Sequence, residues 1–179
     1  MARPPRTRTH AAAAPNPNAN LTTSQAGVDA LTLREGVRTT YYNDSANNCT
    51  FGVGTLLHSG PCTPTELRTT ATAAQINTSL NAGVRTAERQ VRNAVNTRAL
   101  NQNQFDALVS VTYNLGAGGA SATLNAANAG DDAAATRHIG ENVFVHPIIN
   151  GHRGRPVRQQ GLANRRNGEI EQYQRAPIP

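Results

Sequence analysis

Two acidic residues and a hydroxyl group lie close together in the first third of the chain. Glu35 stands where a short helical pattern ends, Asp44 follows nine residues later, and Thr50 follows Asp44 by six. Cleavage of a glycosidic bond requires a neutral carboxylic acid that protonates the leaving oxygen and a second, ionised carboxylate that holds or activates water on the opposite face. The surroundings of the two acids must push their pKa values apart. The pattern is compatible with a glycosidase site, with Thr50 beside the second acid.

The same residues also have an ordinary structural interpretation. Glu35 is flanked by Arg34 and Arg38 and could be a partly exposed acid paired with either. Asp44 lies in a segment rich in Asn and Ser, where an Asp is a common turn residue. Spacing alone therefore leaves both interpretations open.

The elements that must position these groups can be predicted from local patterns. Thr23 or Ser24 can cap a helix whose apolar stripe is Val28, Leu31 and Leu33, and Gly36 is a natural stop. From residue 37 to 57, β-branched and aromatic residues alternate with Asn and Gly pairs, which indicates short strands joined by turns. Glu35 is thus expected at a helix end and Asp44 in a small β element.

The rest of the chain is predicted to be helical. An amphipathic helix over about 77–95 can join two lobes, and a mostly apolar helix over 104–115 is expected at the centre of the larger lobe, ending at Gly116. Further helices are expected at about 121–128, 133–139 and 157–173. The predicted class is α+β and mostly helical. A small lobe spans about 37–75, and a helical lobe spans about 96–174 and packs with an N-terminal helix at 26–36.

Composition limits the possible functions. The chain has 179 residues and a formal net charge of +6 with a pI near 10.3, so an anionic partner is favoured. No apolar stretch reaches the length of a membrane span, and no secretory signal precedes the domain. Residues 1–22, rich in Pro, Ala and Arg, are expected to form a disordered tail before a single domain at 23–179. We expect a monomer, made in the cytoplasm.

The cysteines and histidines raise two further questions. Cys49 and Cys62 can form one disulfide or remain as buried thiols. The histidines suggest a zinc amidase, but their spacing matches no zinc motif, so neither a metal nor another cofactor is expected. The chain also contains no recognised nucleic-acid-binding module, so nucleic acid is not an expected partner.

Three segments, taken together and in order, resemble the phage-type lysozymes, or endolysins, of glycoside hydrolase family 24. The first is the Glu-x8-Asp-x5-Thr pattern of Glu35, Asp44 and Thr50, and the second is Gln104-Phe-Asp-Ala-Leu-Val-Ser-Val-Thr-Tyr-Asn-Leu-Gly116. The third is Gly161-Leu-Ala-Asn-Arg165-Arg166-Asn-Gly-Glu169, similar to the closing helix of that family. The resemblance covers about residues 26–174. It departs from the family at Thr55, where relatives usually have His.

The resemblance implies a lysozyme-like two-lobed fold joined by a long helix, and a muramidase that cuts the β-1,4 bond between N-acetylmuramic acid and N-acetylglucosamine in peptidoglycan. It implies that Glu35 is the general acid, that Asp44 and Thr50 position the attacking water, and that the anomeric carbon is inverted. Candidate substrate-binding residues are Tyr42, Tyr113, Asn114 and Arg166, where either Arg166 or Arg165 is expected to approach the acids.

Several biological roles fit such an enzyme. A phage or prophage endolysin released by a holin is expected first, and an antibacterial effector exported by a secretion apparatus is the alternative. A non-catalytic peptidoglycan-binding protein on the same fold is a further alternative. In each case the partners are peptidoglycan glycan strands, and anionic cell-surface polymers are a second possible target of the Arg-rich surface.

Overall fold

The computed structural model describes residues 14–44, 47–145, 148–149 and 152–177. It shows a mostly helical α+β fold in which a small antiparallel sheet follows the first helix, as the sequence predicts. Residues 1–13, most of the expected tail, lie outside the described residues. Within the described part of the chain, no helix combines the length and apolar character needed to cross a membrane.

Helix α1 (Gln25–Glu35) carries the candidate acid at its last position. The Ser24 side chain caps it by accepting a hydrogen bond from the Gly27 N–H, as predicted. Leu31 is buried in the core, but Leu33 is 86% exposed, so the predicted stripe is wrong at Leu33. A helix this short buries one narrow face, and here that face packs on helix α3 (Gln102–Ala129).

The small lobe is built on a three-stranded antiparallel sheet, in the order β1 (Arg38–Asn43), β2 (Cys49–Gly52) and β3 (Thr55–His58). The register pairs Tyr42 with Thr50, so a candidate sugar-binding ring lies opposite a candidate catalytic hydroxyl. A single 3₁₀ turn, Glu66–Arg68, follows the sheet.

Helix α2 (Ala73–Ala94) contacts both strand β2 and helix α3, so it joins the two lobes as predicted. Capping boxes begin α2 at Thr72 and α3 at Asn101. Gly116 was expected to end the central helix, but it instead kinks α3 with a positive φ of 68°, and helical structure resumes beyond it.

The helical lobe is completed by α4 (Asp132–Glu141) and α5 (Gln160–Gln174). The core of this lobe is the first half of α3, where Phe105, Leu108 and Val109 are fully buried. Between α4 and α5 lie four two-residue strands, which were not predicted: β4 (Phe144–Val145), β5 (Ile148–Ile149), β6 (His152–Arg153) and β7 (Val157–Arg158). They delay the start of α5 by three residues relative to the prediction.

The segment before α1 corrects the expected tail boundary. Asn18 is fully buried, its side-chain amide donates to the Val95 and Arg98 carbonyls, and its oxygen accepts from the Leu100 N–H. Residues 14–24, which we call the N-terminal arm, therefore pack on the loop between α2 and α3. The prediction of disorder failed here because amide hydrogen bonds hold the arm, whereas the prediction weighed only apolar content.

Candidate active site

Glu35 lies at the junction of the two lobes with 14% of its side chain exposed. Arg165 on α5 donates to the Glu35 carboxylate over 3.0 Å and to the Arg34 carbonyl over 3.0 Å. Burial raises the pKa of Glu35 above its ordinary value, although the charge of Arg165 and hydrogen bonds from Arg165 and Asn114 oppose that shift. A carboxyl group in this state can hold the proton that a general acid must donate.

Behind Glu35 lies a group of buried charged and polar side chains. Arg166 is fully buried and donates to both the Glu169 carboxylate and the Asn114 side-chain oxygen. Glu169 is also fully buried and accepts from the Ser110 hydroxyl at 2.7 Å. The expectation that Arg166 contacts substrate is wrong, because its side chain is enclosed by protein groups.

Asn114 connects this buried group to the candidate acid. Its oxygen accepts from Arg166 and its side chain is hydrogen-bonded to Glu35. Asn114 therefore orients Glu35, and its predicted contact with sugar stays a prediction.

Asp44 lies in the turn between β1 and β2. Its carboxylate accepts from the Asn48 N–H at 2.8 Å and from the Thr50 hydroxyl at 3.4 Å. Thr50 itself is 3% exposed. The structure thus brings Asp44 and Thr50 together, as the resemblance implies.

Tyr42 lies near both acids. The charges of Asp44 and Glu35 both act on its hydroxyl and, together with partial burial as the largest cause, raise its pKa, while Arg38 opposes the shift. The Arg38 guanidinium stacks 4.4 Å from the centre of the Tyr42 ring. One face of this ring is therefore covered by a cation, a contact that the spacing of the two residues does not predict.

Tyr113, on whose hydroxyl the charge of Glu35 acts, lines a cavity of about 460 Å³ between the lobes. Its hydroxyl donates to the Val53 carbonyl at 2.9 Å, and burial, with smaller contributions from Glu35 and Tyr42, raises its pKa to about 12. The cavity is lined by the β2–β3 turn, one face of α2 and the end of the first half of α3, including Gly54, Thr55, Gln90, Thr112, Tyr113 and Gly116. Glu35 and Asp44 are not among the described residues that line it.

Cys49 and Cys62 form a disulfide, with their Cα atoms 4.5 Å apart. Cys62 also donates its N–H to the Asn43 side chain, and Gly60 donates its N–H to the Asn48 side chain. These bonds tie the segment after β3 to both ends of the Asp44 turn. Among the described residues, neither Glu35 nor Asp44 belongs to a group of three side chains suited to hold a metal ion.

Three residues of the buried group were missed by sequence reasoning, namely Arg34, Ser110 and Glu169. Arg34 donates to the Gln172 side chain at 3.0 Å and to the Gly168 carbonyl at 2.9 Å. The available signal was the presence of a polar residue, Ser110, within the mostly apolar central helix. That signal does not reveal which polar residue meets which.

Comparison with known proteins gives this geometry a context. The model of the phage lysozyme family matches residues 32–169, a range that contains Glu35, Asp44, Thr50 and Glu169. The chain belongs to the phage lysozyme family. As a member, it is a muramidase, a glycoside hydrolase that acts on peptidoglycan.

Solved structures agree with this assignment. The endolysin from Escherichia coli O157:H7 phage FAHEc1 is 30% identical with a TM-score of 0.73, over 90% of this chain and 98% of that one. The muramidase domain of SpmX from Asticaccaulis excentricus (24%, TM-score 0.71, 87% and 99%) and the active form of the P1 phage endolysin Lyz (23%, 0.67, 87% and 86%) share the fold. No curated protein matches this phage lysozyme significantly.

Proposed function

We propose that this lysozyme hydrolyses the β-1,4 bond between N-acetylmuramic acid and N-acetylglucosamine with Glu35 as general acid. The observation that carries the proposal is the contrast between the two acids. Glu35 is largely buried with a raised pKa, whereas Asp44 lies in a turn and accepts hydrogen bonds from the Asn48 N–H and the Thr50 hydroxyl.

The proposed reaction uses each group once. The protonated Glu35 carboxyl donates its proton to the bridging oxygen as the bond from that oxygen to the anomeric carbon breaks. A water molecule held by Asp44 and the Thr50 hydroxyl attacks the opposite face of the anomeric carbon. Asp44 accepts the proton that the water loses. Because the attack and the departure occur on opposite faces, the product has inverted configuration.

The substrate strand would pass the acids and extend into the cavity between the lobes. Tyr113 lines that cavity and is partly exposed, so the exposed edge of its ring can meet a sugar. Tyr42 has one ring face covered by Arg38, which leaves the other face for an apolar pyranose surface. Asn114 and Arg165 position Glu35 rather than the sugar.

The biological role that we propose is that of an endolysin that lyses the host cell of a phage. The support is the 30% identity with a phage endolysin over nearly the whole of both chains. Release from the cytoplasm by a holin is part of this proposal, and export as an antibacterial effector is its alternative. The net charge of +6 would favour contact with anionic polymers at the cell surface.

The test is clearance of purified peptidoglycan sacculi by the native chain and by Glu35→Gln, which keeps the shape of the side chain but removes the donated proton. We expect the variant to be slower by at least about a hundredfold. Asp29→Asn is the matched control, because Asp29 is an exposed acid on the same helix and should clear at the native rate. Equal clearance by the native chain and Glu35→Gln would exclude the proposal.

The product distinguishes the bond that is cut. A muramidase releases new reducing sugar ends, and an amidase releases new free amines. Nuclear magnetic resonance of the first product formed from a defined oligosaccharide reports the anomer. An initial α-anomer supports inversion of the β-linked substrate, whereas an initial β-anomer contradicts it.

A further inference from the structure

Four side chains with metal-binding chemistry meet at the end of the sheet, outside the catalytic groups. Cys49 and His58 are cross-strand partners on β2 and β3, Cys62 is bonded to Cys49, and Glu66 begins the 3₁₀ turn. One ligand atom from each of Cys49, His58 and Glu66 lies within 4.8 Å of the others. The Cys62 sulfur must lie beside them, since it is bonded to that of Cys49.

The hydrogen bonds of His58 show how these groups are oriented. Its Nδ1 lies 3.1 Å from the Ser59 carbonyl, and its Nε2 lies 3.0 Å from a Glu66 carboxylate oxygen. Both partners accept hydrogen bonds, so each ring nitrogen is placed where it can donate to one of them. A metal ion in this gap would have the Nε2 lone pair on one side and a Glu66 carboxylate oxygen on the other.

The outer contacts resemble those that fix metal ligands. A ligating His usually donates its other ring N–H to a backbone carbonyl, as the Nδ1 of His58 is placed to do toward Ser59. The second Glu66 oxygen is fixed by the Thr63 N–H at 2.6 Å and the Thr63 hydroxyl at 2.8 Å. These contacts leave Nε2 and the first carboxylate oxygen facing each other.

We propose that, when the disulfide is reduced, Cys49, Cys62, His58 and Glu66 bind one Zn²⁺ ion in a structural site. A thiol or phosphine reductant supplies two electrons, two protons enter, and the S–S bond becomes two thiols. Binding of Zn²⁺ then releases both thiol protons and the Nε2 proton, and the metal keeps its oxidation state. Two sulfurs, one nitrogen and one oxygen form a tetrahedral set that zinc accepts.

The geometry needs only a local adjustment. Zinc bonds of about 2.0–2.3 Å in a tetrahedron place ligand atoms about 3.3–3.8 Å apart. The ligand atoms of Cys49, His58 and Glu66 already lie within 4.8 Å of one another. Once reduced, the sulfurs must move apart to reach that spacing. Cys62 lies in the loop after β3 and can supply this movement, whereas Cys49 is fixed in β2.

The proposed site gives the same strand end two alternative cross-links. Disulfides are uncommon in a reducing cytoplasm and persist in oxidising compartments. Zinc in the thiol form and the S–S bond in the oxidised form would each hold the 59–62 segment against β2, next to Thr50. The Asp44 turn would therefore keep its shape in both redox states.

The test measures zinc binding by the full chain, independently of lysis. The chain is reduced with a phosphine, freed of reductant without air, and titrated with Zn²⁺ against a chromogenic chelator. We expect one tightly bound ion per reduced chain and none per oxidised chain at the same concentrations. His58→Ala and Glu66→Gln should each weaken zinc binding by at least about tenfold. Loss of a residue that only hydrogen-bonds a metal ligand already costs about that much, so loss of a ligand should cost no less.

The chain provides a matched control. His138 and Glu141 on α4 form a similar exposed pair at 2.9 Å, with no cysteine beside them among the described residues. His138→Ala should bind zinc as tightly as the native chain. Zinc binding by the reduced chain that is equally strong in His58→Ala, or that survives the double change Cys49→Ser and Cys62→Ser, would overturn the proposed site.

A second readout covers loss of structure on reduction. Zinc should raise the thermal unfolding midpoint of the reduced chain, or restore its far-ultraviolet circular dichroism if reduction unfolds it. The oxidised chain should not respond to zinc. A reduced chain that neither binds zinc nor responds to it contradicts the proposal, whatever the outcome of the lysis assays.

Discussion

The two acids of this lysozyme are held by opposite kinds of structure. Glu35 rests on the helical lobe, where Arg166 and Glu169 are buried and hydrogen-bonded to Asn114 and Ser110. Asp44 rests on a thin sheet whose strand β3 exposes Leu56 and Leu57. On that side, asparagine side chains and a disulfide also hold the backbone.

This difference matches the catalytic role that we propose for each acid. A general acid benefits from a dry, rigid setting, because burial keeps its proton bound near neutral pH. A carboxylate that holds water needs hydrogen-bond donors and access to solvent. The helical lobe supplies the buried setting for Glu35, and the cross-linked turn supplies the hydrogen-bond donors around Asp44.

The largest expected effect comes from breaking the buried charge group. Arg166→Met leaves the Glu169 carboxylate buried without its ion-pair partner, and we expect a loss of about 3–5 kcal/mol in the free energy of unfolding. Urea unfolding at neutral pH measures it. Arg137→Met is the control, since Arg137 pairs with Glu141 at 3.9 Å with both side chains about 60% exposed. That change should cost less than about 1 kcal/mol. Equal costs would show that burial does not distinguish the two pairs.

A smaller effect is expected from the cross-linked side. Under oxidising conditions, with a metal chelator present, the double change Cys49→Ser and Cys62→Ser should lower the free energy of unfolding by about 3 kcal/mol, from the chain entropy of the opened loop. Hydrogen exchange should show where the loss falls. Amides of 43–62 should exchange faster, and those of 105–111 should change only as much as the global stability does. Uniform acceleration in both regions would remove the distinction between the two sides.

The sequence was most informative where structure depends on local spacing. Ser24, Gly36 and the turn glycines predict that Glu35 ends a helix and that Asp44 enters a β turn, and the structure agrees. The central helix was predicted because residues 104–115 are apolar on most faces. These inferences require only contacts between neighbours in the chain.

Pairings between distant elements could not be predicted. Arg165 and Arg166 are adjacent on α5, but successive helix positions point about 100° apart, so one reaches Glu35 and the other is buried. Only the rotation of α5 about its axis, set by packing on α1 and α3, decides which of the two arginines contacts Glu35 and which is buried. Asn18 is a similar case, because its three partners lie about 80 residues away.

The smallest expected effect is a change in the pH dependence of lysis, which tests the buried setting of Glu35 directly. The positive charge of Arg165 lowers the pKa of Glu35 against the larger effect of burial, so Arg165→Met should raise that pKa further. Glu35 must be protonated to act. The alkaline limb of the lysis profile should therefore move to higher pH. Arg85→Met, on the exposed face of α2, should leave the limb in place.

Stability should follow the same sign. A carboxyl whose pKa is higher in the folded chain than in the unfolded chain binds its proton more tightly when folded. Its protonation therefore contributes stability that is fully present below the unfolded pKa and is lost as pH rises through the folded pKa. The raised pKa of Glu35 predicts this loss in the native chain, and Arg165→Met should extend it to higher pH. A limb that moves to lower pH would mean that Arg165 does not act on Glu35 through its charge.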